Sequence, residues 1–169
     1  MSTDRPMPPP HADERATLAG WLDFYRSTLA LKCEGLSEQQ LRTASVPPSP
    51  LTLLGLVQHL AEVERNWFRR VLAGDDAPPI YEPKADPGGH DGGFDLSGDL
   101  TFEAARETWE AEISRARANC AARELDQTSP FPGGQVTLRW IYAHMIAEYA
   151  RHSGHADLIR ERIDGTTGV

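Results

Sequence analysis

The sequence predicts an all-α protein, and a four-helix bundle is the economical way to build it. Four segments repeat apolar residues at spacings of three and four, and no segment alternates convincingly as a strand. Between the second and third helical segments lies a long stretch rich in Pro, Gly and Asp, which places a crossover loop at residues 75–100.

The first helix is expected over about 11–33. Leu18, Trp21, Leu22, Tyr25 and Leu29 mark its buried face and Gly35 ends it. Ser37-Glu38-Gln39-Gln40 has the capping-box pattern and predicts one short helical turn, and VPPSP (46–50) reads as extended and stiff. The second helix starts near Pro50 or Thr52, presents Leu53, Leu56, Leu60, Val63 and Trp67, and stops at Gly74. The crossover segment carries four Pro, five Gly and six Asp, without the alternating acidic spacing of a calcium loop. Its His90, like His11, reads as a solvent group. The third helix runs from the N-cap Thr101 to about Ala122, with a stripe of Phe102, Ala105, Trp109, Ile113 and Ala116. ELDQTSPFPGG reads as a loop, and the fourth helix covers about 137–162.

A chain of 169 residues suits one domain, expected over 11–165 behind a flexible arm at 1–10. The net charge of −8 offers no basic surface for phosphate backbones, so nucleic acid and anionic membranes are poor partners. No apolar run is long enough to span a bilayer, and the polar, Pro-rich start lacks a signal-peptide core; the expected location is cytoplasmic. Cys33 and Cys120 match no metal or redox spacing and read as reduced thiols on two helices. Lys32 and Lys84 stand against 15 Arg (17 basic residues less two), a bias typical of GC-rich genomes.

The informative feature is polar. Leu138, Ile141, Met145, Glu148, His152, His155 and Ile159 form an unbroken ladder of three- and four-residue steps, the seam a bundle helix turns inward. Its ends are apolar and its centre is not, and His144 stands one turn before Glu148. On the second helix Gln58 and His59 interrupt an apolar run in the same way. A buried carboxylate without partners is very costly, and a neutral polar group costs about 1–3 kcal/mol. Three arrangements would satisfy these groups: a metal held by His59, Glu148 and His152, a metal-free network of hydrogen bonds, or a water-filled cleft at the bundle end. Spacing favours the metal, because residues four apart share a helix face and a third ligand from a facing helix leaves a position open. His155 and His144 are candidates for groups just behind the ligands, or for satisfied core histidines. Asp157 and Arg160 read as a helix-surface or inter-helix pair, and Trp67 and Trp140 as packing at the core or rim.

The text LRWIYAHMIAEYARHSGHADLIRERIDG (138–165), together with GLVQHLAEVERNWF (55–68), resembles the DinB-like superfamily, and within it the actinobacterial mini-circle protein branch related to mycothiol-dependent maleylpyruvate isomerase. The resemblance implies an up-down-down-up four-helix bundle with a divalent metal at one end. It implies ligands at His59, Glu148 and His152. Many relatives have His at the position of Glu148, and the carboxylate makes this donor set harder and less exclusive for Zn. Zn is the first expectation, with Ni, Mn, Fe or Co as alternatives. For some members the resemblance implies mycothiol as co-substrate, its thiolate favoured by the metal for transfer or isomerisation. It also implies a homodimer. A metal-dependent hydrolase and a non-catalytic, metal-binding stress-response bundle are the alternative functions.

Overall fold

The structure, a computed structural model, describes residues 5–81, 94, 96 and 99–168. The elements are α1 (Glu14–Cys33), α2 (Glu38–Leu41), α3 (Leu53–Glu64) running on as a π-helical segment (Arg65–Val71), α4 (Phe102–Ala121), a hairpin of β1 (Thr128–Phe131) and β2 (Gly134–Thr137), and α5 (Leu138–Asp164). The chain is mostly helical, as expected, and most of the crossover segment, with His90, lies outside the described residues.

Caps set the helix boundaries. Asp13, Thr52, Thr101 and Thr137 each accept, through a side-chain oxygen, a backbone N–H of the first turn of the helix that follows. Ser37 and Gln40 complete the reciprocal capping box of α2. Gly165 closes α5 at φ +78°, a conformation that favours glycine. VPPSP does not run extended: Ser49 N–H donates to Val46 O across the cis Pro47–Pro48 peptide, so the segment is a turn.

The expectation of no strand is corrected by the hairpin. Thr128 pairs with Thr137 and Phe131 with Gly134, and Pro132 and Gly133 make the turn, Gly133 at φ +88°. Two Pro and a Gly pair within ten residues give these strands the composition of a loop, and four residues are too few for alternation to register. The end of α3 also departs from the simple reading. Leu72 N–H donates to Trp67 O, five residues back, where an α-helix would bond four back. Side chains after Arg65 are therefore rotated away from the register that the apolar spacing implies.

α1 packs most extensively on α5, and α3 on α4; α3 also touches α5. Leu22, Leu29, Leu56, Leu60, Trp109, Ile113, Ile141 and Met145 fill the space between them, none more than 1% exposed. Cys33 and Cys120 are free, buried, and on α1 and α4, as read from the sequence. Arg5 and Pro8 lie on α1: the Arg5 guanidinium sits 4.6 Å from the Phe24 ring, and a Cβ on Gly20 would come within 3.1 Å of Pro8 Cβ.

One polar chain crosses the core and ties all four long helices. Arg26 of α1 donates two hydrogen bonds to Glu64 of α3, at 2.8 and 2.7 Å. Tyr149 of α5 donates to the same carboxylate at 2.7 Å, and Trp109 of α4 donates to the Tyr149 hydroxyl at 2.7 Å. Burial works against the charge on Arg26, but the Glu64 carboxylate outweighs it and holds the guanidinium above its ordinary range. Burial, and then the charge of Glu64, push the Tyr149 phenol well up, so it stays a donor. Because every bond is directional, the chain fixes the rotation of Tyr149, and with it the neighbouring Glu148, relative to α3.

Candidate metal centre

His59 projects from the middle of α3, and Glu148 and His152 from successive turns of α5. One nitrogen or oxygen from each lies within 4.8 Å of the others. His59 Nε2 is 3.2 Å from Glu148 Oε1, and His152 Nε2 is 3.1 Å from the same oxygen. The two imidazoles meet edge to face with centroids 4.6 Å apart. Their side chains are 11%, 13% and 5% exposed for His59, Glu148 and His152, so the cluster borders solvent without opening fully to it.

Burial alone would raise the Glu148 carboxyl. The hydrogen bond from His59 and the charge and hydrogen bond of His152 outweigh it and hold the group below its usual range, ionised at neutral pH. Arg151 adds a cation 3.4 Å from Glu148 Oε2. Burial, followed by the proximity of His59, pulls His152 down to about 4, so its ring is neutral at physiological pH, the state a ligand needs.

The donor chemistry fits a divalent ion. Ligands about 2.0–2.1 Å from a tetrahedral ion lie roughly 3.3 Å apart, close to the 3.1 and 3.2 Å separations seen here. Two imidazoles, which are borderline donors, with one harder carboxylate suit Zn and its first-row neighbours.

The surroundings complete the cluster. His155 Nδ1 lies 3.2 Å from His152 Nδ1, on the ring edge away from Glu148, so the ladder position of His155 brings it against the triad without joining it. His144 is brought elsewhere: its ring packs 4.5 Å from Trp67 and 5.1 Å from Trp140. Burial lowers its pKa, partly offset by the Glu148 charge. His11 is exposed. Asp157 and Arg160 do not pair with each other. Lys32 Nζ sits 2.6 Å from Asp157, while Arg160 bonds Asp164 and the carbonyls of Lys32 and Glu34, so both tie α5 to α1 or to its own end.

One contact was not legible in the sequence. Phe94, from the crossover segment, stacks on His59 with centroids 4.0 Å apart and 15° between planes. Its backbone comes so near α3 that a Cβ on Gly55 would stand 2.7 Å from Phe94 O; a glycine one turn before His59 is the only trace of this in the sequence. Gln58 is fully buried, and neither amide atom has a hydrogen-bond partner among the described residues. Nothing in the structure explains it. Two cavities, of about 250 and 650 Å3, open against α1, and no triad residue lines either.

No described helix is long and apolar enough to cross a membrane. No curated protein matches the chain at a significant level. The family model described as Mycothiol-S-transferase does match it, over residues 17–165, a span that runs from α1 to the cap of α5 and includes His59, Glu148 and His152. With that coverage, the chain belongs to the mycothiol-S-transferase family.

Proposed function

We propose that the protein is a metal-dependent S-transferase, in which His59, Glu148 and His152 hold one divalent ion, Zn first among the candidates, and a small thiol of the mycothiol type is the co-substrate. The observation that carries the reading is the convergence of three donor atoms from α3 and α5 within 4.8 Å. A divalent ion there would supply positive charge that favours the ionised form of a thiol brought beside it. The overall reaction forms a sulfur–carbon bond. The leaving group departs from the carbon with its electron pair, and the thiol proton is released.

The chain's own residues have defined tasks. A His59 or His152 Nε2 that acts as ligand presents a lone pair, so the ring proton sits on Nδ1. For His152 that N–H points to His155 Nδ1, 3.2 Å away, which makes His155 the group that orients the ring. Phe94 covers one face of His59 and keeps water from it. Glu148, held ionised, would offset one unit of a bound ion's charge, and Arg151 stands 3.4 Å from its other oxygen at the rim. The thiol comes from a second molecule: burial pushes Cys33 up to about 12 and raises Cys120, so neither is a nucleophile at neutral pH.

The up-down-down-up arrangement, a single domain over 11–165 and pairing of two chains belong to this proposal through the family, and light scattering of the untagged chain decides the last. The reaction is tested by titrating metal-loaded protein with mycothiol and then following thiol addition and hydrolysis on the same panel of electrophiles. Saturable thiol binding with thiol-dependent turnover is the expected result. Hydrolysis without thiol dependence would replace the reading with a hydrolase.

A further inference from the structure

A ladder of four rings leads away from the triad. On α5, His144 stands one turn before Glu148 and Trp140 one turn before His144, so the three are stepped along one helix face at about 6 Å per four residues. The Trp140 and His144 rings are parallel, 5° apart with centroids at 5.1 Å. Trp67, rotated into place by the π-helical segment, closes on His144 at 4.5 Å and on Trp140 at 5.3 Å. The hairpin adds Phe131, stacked on Trp67 at 5.4 Å.

These rings are not simply core. Trp140 is 47% exposed and Phe131 36%, and they are neighbours, with centroids 6.4 Å apart. Single exposed apolar residues are ordinary, but adjoining aromatic ones that lead to a cluster of donor atoms mark a binding surface. Trp140 gives one face to His144 and keeps nearly half its surface for something else.

We propose that this ladder binds the acceptor substrate and that the acceptor carries a planar aromatic ring, stacked on Trp140 with its reactive end directed towards Glu148. Rings stack on rings through dispersion and complementary quadrupoles, which a saturated skeleton of the same size cannot match. The word "acceptor" rests on the thiol-transfer reading; the ring-binding surface does not.

The test is calorimetric titration of the full chain with 2-naphthol and with decahydro-2-naphthol, which has the same skeleton and hydroxyl but no π-face. The wild type is expected to bind the aromatic alcohol about 5- to 10-fold more tightly, a range consistent with the energy of one or two aromatic pairs. Trp140→Leu, which keeps apolar bulk, should bring the two ligands within about twofold of each other, and Phe131→Leu provides the same comparison from the hairpin should the first variant fold poorly. Equal binding of both ligands by the wild type, absence of binding, or a preference that survives both substitutions would overturn the proposal. Equal binding of the two ligands by a wild type whose metal and thiol turnover are intact would break this inference alone. Absence of metal and turnover with the preference intact would break the transfer reading alone.

Discussion

Two polar clusters lie one residue apart on α5 and resolve burial in opposite ways. Tyr149 belongs to the chain Arg26–Glu64–Tyr149–Trp109, in which a cation forks onto a carboxylate and two ring donors end on hydroxyl and carboxylate oxygens. Glu148 belongs to the triad, in which two imidazole nitrogens crowd one carboxylate oxygen. The first cluster satisfies itself: Arg26 pairs with Glu64 of α3 and with Asp23 of its own helix, and two neutral ring donors extend the network to α4 and α5. The second concentrates two imidazoles and a carboxylate, all groups able to bind a cation, from two helices at one point. A fold can hide ionisable groups by pairing them internally, and that yields a rigid scaffold. It can also converge acceptors beside solvent, and that yields a site for a cation.

Breaking the scaffold should cost the most stability. Glu64→Leu takes from buried Arg26 its two-pronged buried carboxylate and leaves only the half-exposed Asp23, 2.9 Å away, so about 3–5 kcal/mol should be lost, or roughly 10 °C in Tm for a chain of this size. The double variant Arg26→Met/Glu64→Leu should recover most of that loss in chemical denaturation, because an apolar pair replaces the charged one. A Glu64→Leu protein as stable as the wild type would show that the network contributes nothing.

Disturbing the triad from behind should cost affinity and little stability. His155→Ala removes the partner of His152 Nδ1 and should weaken metal binding by about 10- to 100-fold in a competition titration with a chelating dye, with Tm of the chelator-treated protein nearly unchanged. Unchanged affinity would make His155 an ordinary neighbour.

Gln58 sharpens the comparison because it follows neither pattern. Its amide is buried and unpartnered among the described residues, so Gln58→Leu should stabilise the protein by about 1–3 kcal/mol in urea denaturation. A destabilised variant would mean the amide has a partner after all.

The smallest effect expected is a pH dependence. His152 has its folded pKa pulled down to about 4, below the unfolded value near 6.5. Between those values the unfolded chain binds more protons than the folded one. Stability therefore falls as pH drops from about 6.5 towards 4 and is fully present above that window. Denaturation of chelator-treated protein at pH 7 and pH 4.5 should show the loss, and His152→Gln should flatten it.

Much of this was legible in the sequence, and the reasons differ by element. Periodicity located the four long helices because each buries a broad stripe, and Thr101 announced the start of α4 by its chemistry alone. The ladder from Leu138 to Ile159 identified Glu148 and His152 because polar residues on an apolar seam need partners. His59 followed from the same reasoning on α3. The hairpin was hidden by its Pro and Gly content, and the π-helical turn by the fact that apolar spacing does not report which hydrogen-bond register a helix uses. Phe94 was hidden because a loop residue has no period to betray what it packs on. The scaffold network was missed although Arg26 stands four after Leu22 and three before Leu29, and Glu64 four after Leu60, the same inward spacing; both are buried, at 3% and 0% exposure. Trp140 was read as packing; its exposed surface emerges only when β1 and α5 are set side by side.

The central claim is that the triad holds a metal while the neighbouring network needs none. Elemental analysis of the full chain, purified without a metal-binding tag, tests it most directly. The account predicts about one divalent ion per chain in the wild type and in the folded Arg26→Met/Glu64→Leu variant, and less than about a tenth of that in His59→Ala and His152→Ala. A wild-type protein without stoichiometric metal, or a His152→Ala protein that retains it, would contradict the account.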